Sequence, residues 1–398
     1  MGKKKKNRRK ATVLPIRQGK KISGHTLSVC LITKNESGRI DKAIRSALPF
    51  ADEVVVVDTG STDDTVEIAK KLGAKIGYFE WCDDFSAARN ASLDMATGDW
   101  IMWLDADDYV PSTEWPKLIK TKRMPPNQGL MVRLKNEGWA KESCWQLRLF
   151  PNNPKIRFIY PVHEQIAPSL KNLNMPMNFS DITIIHTGYE DSETVAKKRA
   201  KNLQILKRYL EQHPYDAPCR FNLGFTYLAL GIYDQAILEF TKIIESQNMR
   251  NRKSLTYFKA LLYLGRAYLH LGLAEKALQV LREAYLINSS EPLLRVSLAI
   301  TYNSLERPQK ALKLLDGLDS WINTPSPLPV DLEALQNEAK YHTAIAFEKL
   351  GNLQKAVDIC CKALQSKGFD EYKDYLGYLV REICKTQNGL GIIAKLAR

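Results

Sequence analysis

The sequence lacks several features, and each absence removes a class of protein. Its 398 residues hold no run of about eighteen apolar residues, so no membrane-spanning helix is expected. The basic start, MGKKKKNRRK, is followed by no apolar stretch of the kind a secretory signal carries. Seven cysteines (Cys30, Cys82, Cys144, Cys219, Cys360, Cys361, Cys384) show neither metal-site nor disulfide-framework spacing. Most lie in apolar patterns and read as small core residues of a reduced, cytoplasmic protein. Neither GxGxxG nor GxxxxGKS/T occurs, which counts against a dinucleotide fold and a P-loop ATPase.

Residues 1–21 lack acid altogether and carry ten Lys or Arg. The formal charge of +14 is therefore misleading, because the rest has 48 basic against 44 acidic residues. A balanced body with a basic arm at 1–24 predicts a solvated, disordered tail with no specific nucleic-acid partner. Contact of that arm with an anionic membrane is a lesser alternative. At 44% hydrophobic, the chain suffices for two or three domains with real cores.

The first half alternates strands and helices. LSVCLIT (27–33), EVVVVD (53–58), KIGYFE and WIMWL read as buried strands, and IDKAIRSAL, VEIAKKLG and DFSAARNASLDMA as the helices between them. Ser86 is expected near the start of the third helix. This pattern predicts an α/β domain with a mostly parallel sheet, Rossmann-like, whose ligands sit at the carboxyl ends of the strands. Three polar turns fall there: TKNE, DTGSTDD and DADD. The last sets Asp105, Asp107 and Asp108 within four positions, and clustered carboxylates call for a cation. Oxygen ligands suit Mg²⁺ or Mn²⁺, usually shared with substrate phosphate.

LSVCLITKNE, EVVVVDTGSTDDT, DFSAARNASLDMATGDW and LDADD, in this order and spacing, resemble family 2 glycosyltransferases of the GT-A fold over roughly residues 27–190. The resemblance implies a DXD motif at Asp105-Ala106-Asp107. Asp107 would ligate the metal directly, Asp105 would sit by the ribose and metal, and His186 would complete the metal site or touch the diphosphate. Thr33, Asn35 and Glu36 would line the nucleoside, Asp58 would contact the base or ribose, and Arg89 would lie near the nucleotide. Asp58 has a competing reading as a turn cap. Arg89 has one as a helix-surface ion pair. The resemblance further implies an inverting displacement needing a general base. Glu164 in PVHEQ is the expected base, with His163 beside it; a salt bridge of Glu164 to Arg148 or Arg157 is the structural alternative. His163 and His186 read equally as hydrogen-bonded structural histidines. The region past DADD reads as β-rich: GLMVRLKN (129–136), CWQLRLF (144–150), IRFIYPVHEQI and ITIIHTGYE. Trp139 and Trp145 would stack on a sugar or simply pack.

After about residue 190 the pattern turns helical and repeats. Small residues recur at Gly224, Gly265, Ala299 and Ala344. An aromatic follows three places later (Tyr227, Tyr268, Tyr302, Phe347), and an alanine twelve places later (Ala236, Ala277, Ala311, Ala356). This resembles the tetratricopeptide repeat. Spacings of 41, 34 and 45 imply inserted loops, one being NTPSPLP (323–329). The domains expected are a GT-A domain over 25–190, a linker helix over 191–216 and all-α repeats over 217–398. The combination resembles bacterial protein and peptide glycosyltransferases, such as those acting on flagellin or a bacteriocin. It implies a hexosyl or N-acetylhexosaminyl transferase moving glucose or GlcNAc from a UDP-sugar to a Ser or Thr, with Cys the lesser alternative, of a protein held near the repeat groove. A lipopolysaccharide-core or cell-envelope glycan acceptor is the alternative.

Overall fold

The computed structural model describes residues 24–137, 143–188, 192–246, 254–322, 328, 332–364 and 370–385. The basic arm up to residue 23, Trp139 and most of the 323–329 loop lie outside them. The first half runs β1 (Leu27–Thr33), α1 (Ile40–Ala47), β2 (Glu53–Asp58), α2 (Thr65–Lys71), β3 (Lys75–Tyr78), α3 (Phe85–Met95), β4 (Trp100–Asp105) and β5 (Asp108–Tyr109). After a short 3-10 turn come α4 (Trp115–Thr121), β6 (Gly129–Asn136), β7 (Ser143–Pro151), α5 (Ala167–Asn172) and β8 (Met177–His186).

One eight-stranded sheet has the order β3-β2-β1-β4-β7-β6-β8-β5. Its β3-β2-β1-β4 half is wholly parallel. There β1, β2 and β4 are near-continuous apolar runs, as strands covered on both faces must be, while the edge strand β3 (KIGY) is half exposed. Beyond β4 the sheet is mixed: β7 runs antiparallel to β4 and β6, and β8 runs parallel to β6. Val29, Leu31, Val54, Val56, Met102 and Leu104 pack on one face with α1, while Cys30, Val55, Val57 and Ile101 pack on the other with α3. This is the mostly parallel, GT-A-type architecture that the first-half motifs imply. The carboxyl ends of β1, β2 and β4 open onto one edge.

Ser86 lies near the start of α3 as expected, and Asp84 caps the helix: its carboxylate accepts from the amide of Ala87, 3.0 Å away. One local expectation changes. IRFIYPVHEQI is a turn-rich loop closed by one bridge between Ile159 and Gln165, not a strand. Pro161 has no N–H to give a ladder, and Tyr160 and His163 adopt left-handed backbone (φ 76° and 57°), which turns the chain back on itself.

The second half is helical: α6 (Ser192–Gln212), α7 (Ala217–Ala229), α8 (Tyr233–Glu245), α9 (Leu255–His270), α10 (Ala274–Ile287), α11 (Pro292–Ser304) and α12 (Pro308–Leu315). It ends with α13 (Leu318–Trp321), α14 (Leu332–Lys349), α15 (Leu353–Leu364) and α16 (Asp370–Cys384). Helices pair as α7/α8, α9/α10, α11/α12 and α14/α15, matching the four sequence repeats. Ala236, Ala277, Ala311 and Ala356 are fully buried. A Cβ at Gly224 would come within 2.8 Å of the Phe240 ring, and one at Gly265 would collide with Leu281. The small residues thus let each pair close. Seven residues after each small position the chain turns in left-handed backbone, at Gly231, Gly272, Glu306 and Gly351. Among the described residues, no helix is long and apolar enough to cross a membrane.

Candidate active site

At the ends of β1 and β2, Thr33 and Asp58 are both 4% exposed. The backbone N–H groups of Gly60 and Ser61 donate to Asp58 Oδ2 at 3.0 and 2.9 Å, so this oxygen caps the turn. Its other oxygen, Oδ1, and the Thr33 hydroxyl are buried with no hydrogen-bond partner. Buried polar atoms are rarely left so, and these two set open hydrogen-bonding positions side by side at one crevice. Asn35 and Glu36 join the β1 loop to the β2 loop. Asn35 Oδ1 accepts from the amide of Thr62 at 2.8 Å, and the amide of Glu36 donates to Thr65 Oγ1 at 2.7 Å. The Glu36 carboxylate faces Arg39 at 3.4 Å.

The centre of the site is a buried ion network. Arg89 projects from α3, 6% exposed, and reaches Asp105 Oδ1 at 2.6 Å and Glu164 Oε1 at 2.5 Å. Arg148, 1% exposed, meets Asp105 Oδ2 at 3.2 Å and Asp108 Oδ2 at 2.9 Å. Both guanidiniums lie against the Trp103 ring, at 4.1 and 3.6 Å from its centroid, a cation–π arrangement that adds to the Coulomb attraction. The pairing of β6 with β7 jumps from Leu130↔Leu149 to Met131↔Leu147, which leaves Arg148 the unpaired residue of a β-bulge. Such a bulge re-aims a side chain, and this one aims a cation out of an apolar strand into the site. Burial pushes the Asp105 carboxyl up, but Arg89 and then Arg148 pull it well below the usual carboxylate range. Glu164 therefore pairs with neither Arg148 nor Arg157; Arg157 is taken by Asp94 at 2.8 Å.

His186 joins that network through Asp108, while Asp107 lies outside the arginine pairs and faces His186 Nδ1 at 3.5 Å. His186 Nδ1 lies 2.8 Å from Asp108 Oδ1. An ionised carboxylate only accepts, so Nδ1 carries the proton, and in the neutral ring Nε2 keeps its lone pair. Asp108 Oδ2 is already occupied by Arg148 and by the backbone N–H of Asp105 at 3.0 Å. Among the described residues no arginine pairs with Asp107; its carboxyl is raised by burial first and by Asp105 next. The Thr187 amide and hydroxyl both donate to the Asp107 carbonyl at 2.8 Å, which latches β8 to the acidic turn. Gly188 keeps the space beside these groups open: a Cβ there would lie 2.8 Å from Asp107 Oδ2 and against His186 Nε2.

Ligand atoms of Asp107, Asp108 and His186 lie within 4.8 Å of one another, a donor set that fits a divalent cation. Because Asp108 is spent on Arg148 and His186, the free donors are the Asp107 carboxylate and His186 Nε2, an arrangement in which a carboxylate orients a ligating imidazole. His163 is exposed on the left-handed turn beside Glu164. Trp145 packs edge-on against Phe179, with Arg133 over its ring at 5.5 Å. Sequence reasoning missed Arg148 as a site residue. A lone arginine in CWQLRLF was the available signal, but only the bulge tells where it points.

Residues 28–191 match the Glycosyl transferase family 2 domain, and residues 221–292 match a tetratricopeptide repeat. A TPR repeat-containing protein of Synechococcus elongatus is 36% identical over 50% of this chain and 51% of its own length. The SPbeta prophage-derived glycosyltransferase SunS of Bacillus subtilis is 30% identical over 57% of this chain and 55% of its own. The chain thus spans about half the length of these curated relatives. Of solved structures, S. aureus TarS overlaps 69% of this chain and 55% of its own at 17% identity, with a TM-score of 0.36.

Proposed function

We propose that this chain, a family 2 glycosyltransferase domain joined to tetratricopeptide repeats, moves a sugar from a UDP-sugar to a protein side chain, with inversion and with the help of Mn²⁺ or Mg²⁺. The observation that carries the reading is the edge formed by β1, β2 and β4. It combines two unsatisfied buried acceptors, Thr33 Oγ1 and Asp58 Oδ1, with the Asp107–His186 donor pair. The N–H and O–H groups of a nucleoside suit the first pair; a cation shared with a diphosphate suits the second. An imidazole ligand favours Mn²⁺ over Mg²⁺, which prefers oxygen throughout.

Asp107 and His186 would hold the cation, which when bound offsets charge developing on the leaving diphosphate. Asp105, neutralised by Arg89 and Arg148, is a fixed acceptor for the donor's ribose hydroxyl rather than a second free charge. Glu164 is the base in this reading. Arg89 fixes its Oε1, and no hydrogen bond among the described residues reaches Oε2, which is left to take the acceptor's proton. His163 borders the acceptor side. Glucose or GlcNAc is the sugar, Ser or Thr the acceptor, as in flagellin modification, and the repeats recruit the protein that carries it. The cytoplasm, where nucleotide sugars are made, is the matching location. A cell-envelope glycan acceptor is the second reading. It draws on the basic arm alone.

Calorimetric titration with UDP and Mn²⁺ tests the site. Asp107→Ala should abolish the Mn²⁺-dependent part of UDP binding, a loss of at least about a hundredfold, while leaving the fold intact. Equal UDP affinity with and without Mn²⁺ in the wild type would sink the metal reading. Intact-protein mass spectrometry of host proteins, with the gene present and deleted, tests the acceptor. A hexose- or HexNAc-sized mass lost with the gene supports a protein acceptor; unchanged masses favour the envelope glycan.

A further inference from the structure

The loop that carries Glu164 is held from two sides. From the catalytic domain, the Asn90 side chain on α3 bonds both backbone groups of Phe158: Nδ2 donates to the Phe158 carbonyl at 2.9 Å, and Oδ1 accepts from its amide at 2.8 Å. The Phe85 amide donates to the Pro161 carbonyl at 2.9 Å. From the other side comes the repeat domain. Val162, 2% exposed, belongs to the apolar core of the repeats together with Leu206, Leu210 and Cys219, and Trp81, Phe85 and Tyr160 pack against that same core. Arg208 on α6 pairs with Asp83 at 2.9 Å, and Lys201 lies over the Trp81 ring at 4.7 Å.

The backbone there is strained. Six described non-glycine residues have positive φ, and three of them (Asp83, Tyr160 and His163) lie in the two loops that meet the repeats. A bulky residue in left-handed backbone persists only where its surroundings over-determine it. Phe85 begins α3, and Arg89 follows one turn later on the same helix face. The interface therefore supports both members of the Arg89–Glu164 pair.

We propose that α6 and α7 brace the catalytic site: Val162 and Tyr160 are positioning residues that hold Glu164 against Arg89 only while they are seated in the repeat domain's core. The repeats are then part of the catalytic framework as well as a recruiting surface. Separating the two halves would release the loop from its strained turn. The proposal rests on the reading of Glu164 as the base.

The test uses the full chain with Val162→Ala from the loop side and Leu210→Ala from the α6 side. Leu281→Ala, in the core of the second repeat, is the control. Hydrogen exchange is followed at the amides of Phe158, Ile159 and Gln165, all bonded in this structure. UDP release from UDP-glucose and UDP-GlcNAc with Mn²⁺ is measured alongside UDP affinity. Both interface variants should exchange these amides at least about tenfold faster and lower kcat about tenfold, the equivalent of one 1.36 kcal/mol step, with UDP affinity within about twofold. Val162→Ile should restore both. Leu281→Ala should loosen the repeats without touching either readout. Unchanged loop exchange in both interface variants overturns the brace, as does a loosened loop with wild-type kcat. If the wild-type chain turns over no UDP-sugar, the proposed function fails, and exchange alone then judges the brace.

Discussion

Buried hydroxyls of the repeat helices and the site charges of the first half find their partners over very different distances along the sequence. In the repeats, Thr226, Ser297 and Thr301 donate to carbonyls four residues back in their own helices. In the first half, Arg89 spans 75 positions to Glu164, Arg148 spans 43 to Asp105, and His186 spans 78 to Asp108. A repeat helix can satisfy such a hydroxyl before any tertiary contact forms. The site cannot satisfy its charges until the whole sheet is assembled. Cost should follow: removing a local bond strands little, whereas removing one member of a buried ion network leaves its partners charged and dry.

Arg148→Met tests the contrast most severely. It leaves Asp105 and Asp108 without their shared cation and should cost about 3–5 kcal/mol, read as a loss in denaturant unfolding. Ser297→Ala in the repeats should cost about 1 kcal/mol or less. Equal losses would erase the distinction. Next comes packing: Gly265→Ala drives a methyl into Leu281 and should cost about 1–3 kcal/mol, showing that the repeats are limited by shape rather than charge.

His342 sharpens the comparison, because it is a titratable group held within the repeats. Burial pulls its pKa down to about 4, with Glu338 opposing and Arg266 adding to the fall. Its folded pKa lies below the unfolded value, so the unfolded chain binds the extra proton first. Stability is full above about pH 6.5 and falls as the pH drops toward 4. Between pH 7 and 5 the loss should be about 2 kcal/mol, and His342→Phe should remove most of it in thermal melts. The smallest effect is expected at Glu306, which occupies the left-handed turn that glycine takes in the other three repeats. Glu306→Gly should stabilise by about 0.5–1 kcal/mol, since its 2.5 Å pair with Lys349 is largely exposed and worth little.

Much of this molecule was legible in order. The parallel strands were visible as apolar runs, and the acidic turn as DADD. The repeats showed as small residues and aromatics at fixed offsets, because helix pairing demands a small residue wherever Phe240 or Leu281 must approach. Asp58 carried two readings, base contact and turn cap, and the structure gives the turn one oxygen while leaving the other bare. The Glu164 segment was misread as strand because its apolar residues alternate. Its Pro161 and two left-handed residues decide otherwise.

The sequence by itself determined the elements, their order and the edge where the acidic and polar turns gather, because these follow from side-chain period and local backbone preference. Only the tertiary structure decided which charge meets which. A one-residue bulge in β7 aims Arg148 at Asp105 and Asp108. The pairing of β5 with β8 brings His186 to Asp108 and leaves Asp107 facing the open space beside Gly188. Docking of α6 and α7 fixes the loop that holds Glu164. Register and domain packing are collective properties of many weak contacts, and no single stretch of the chain encodes them.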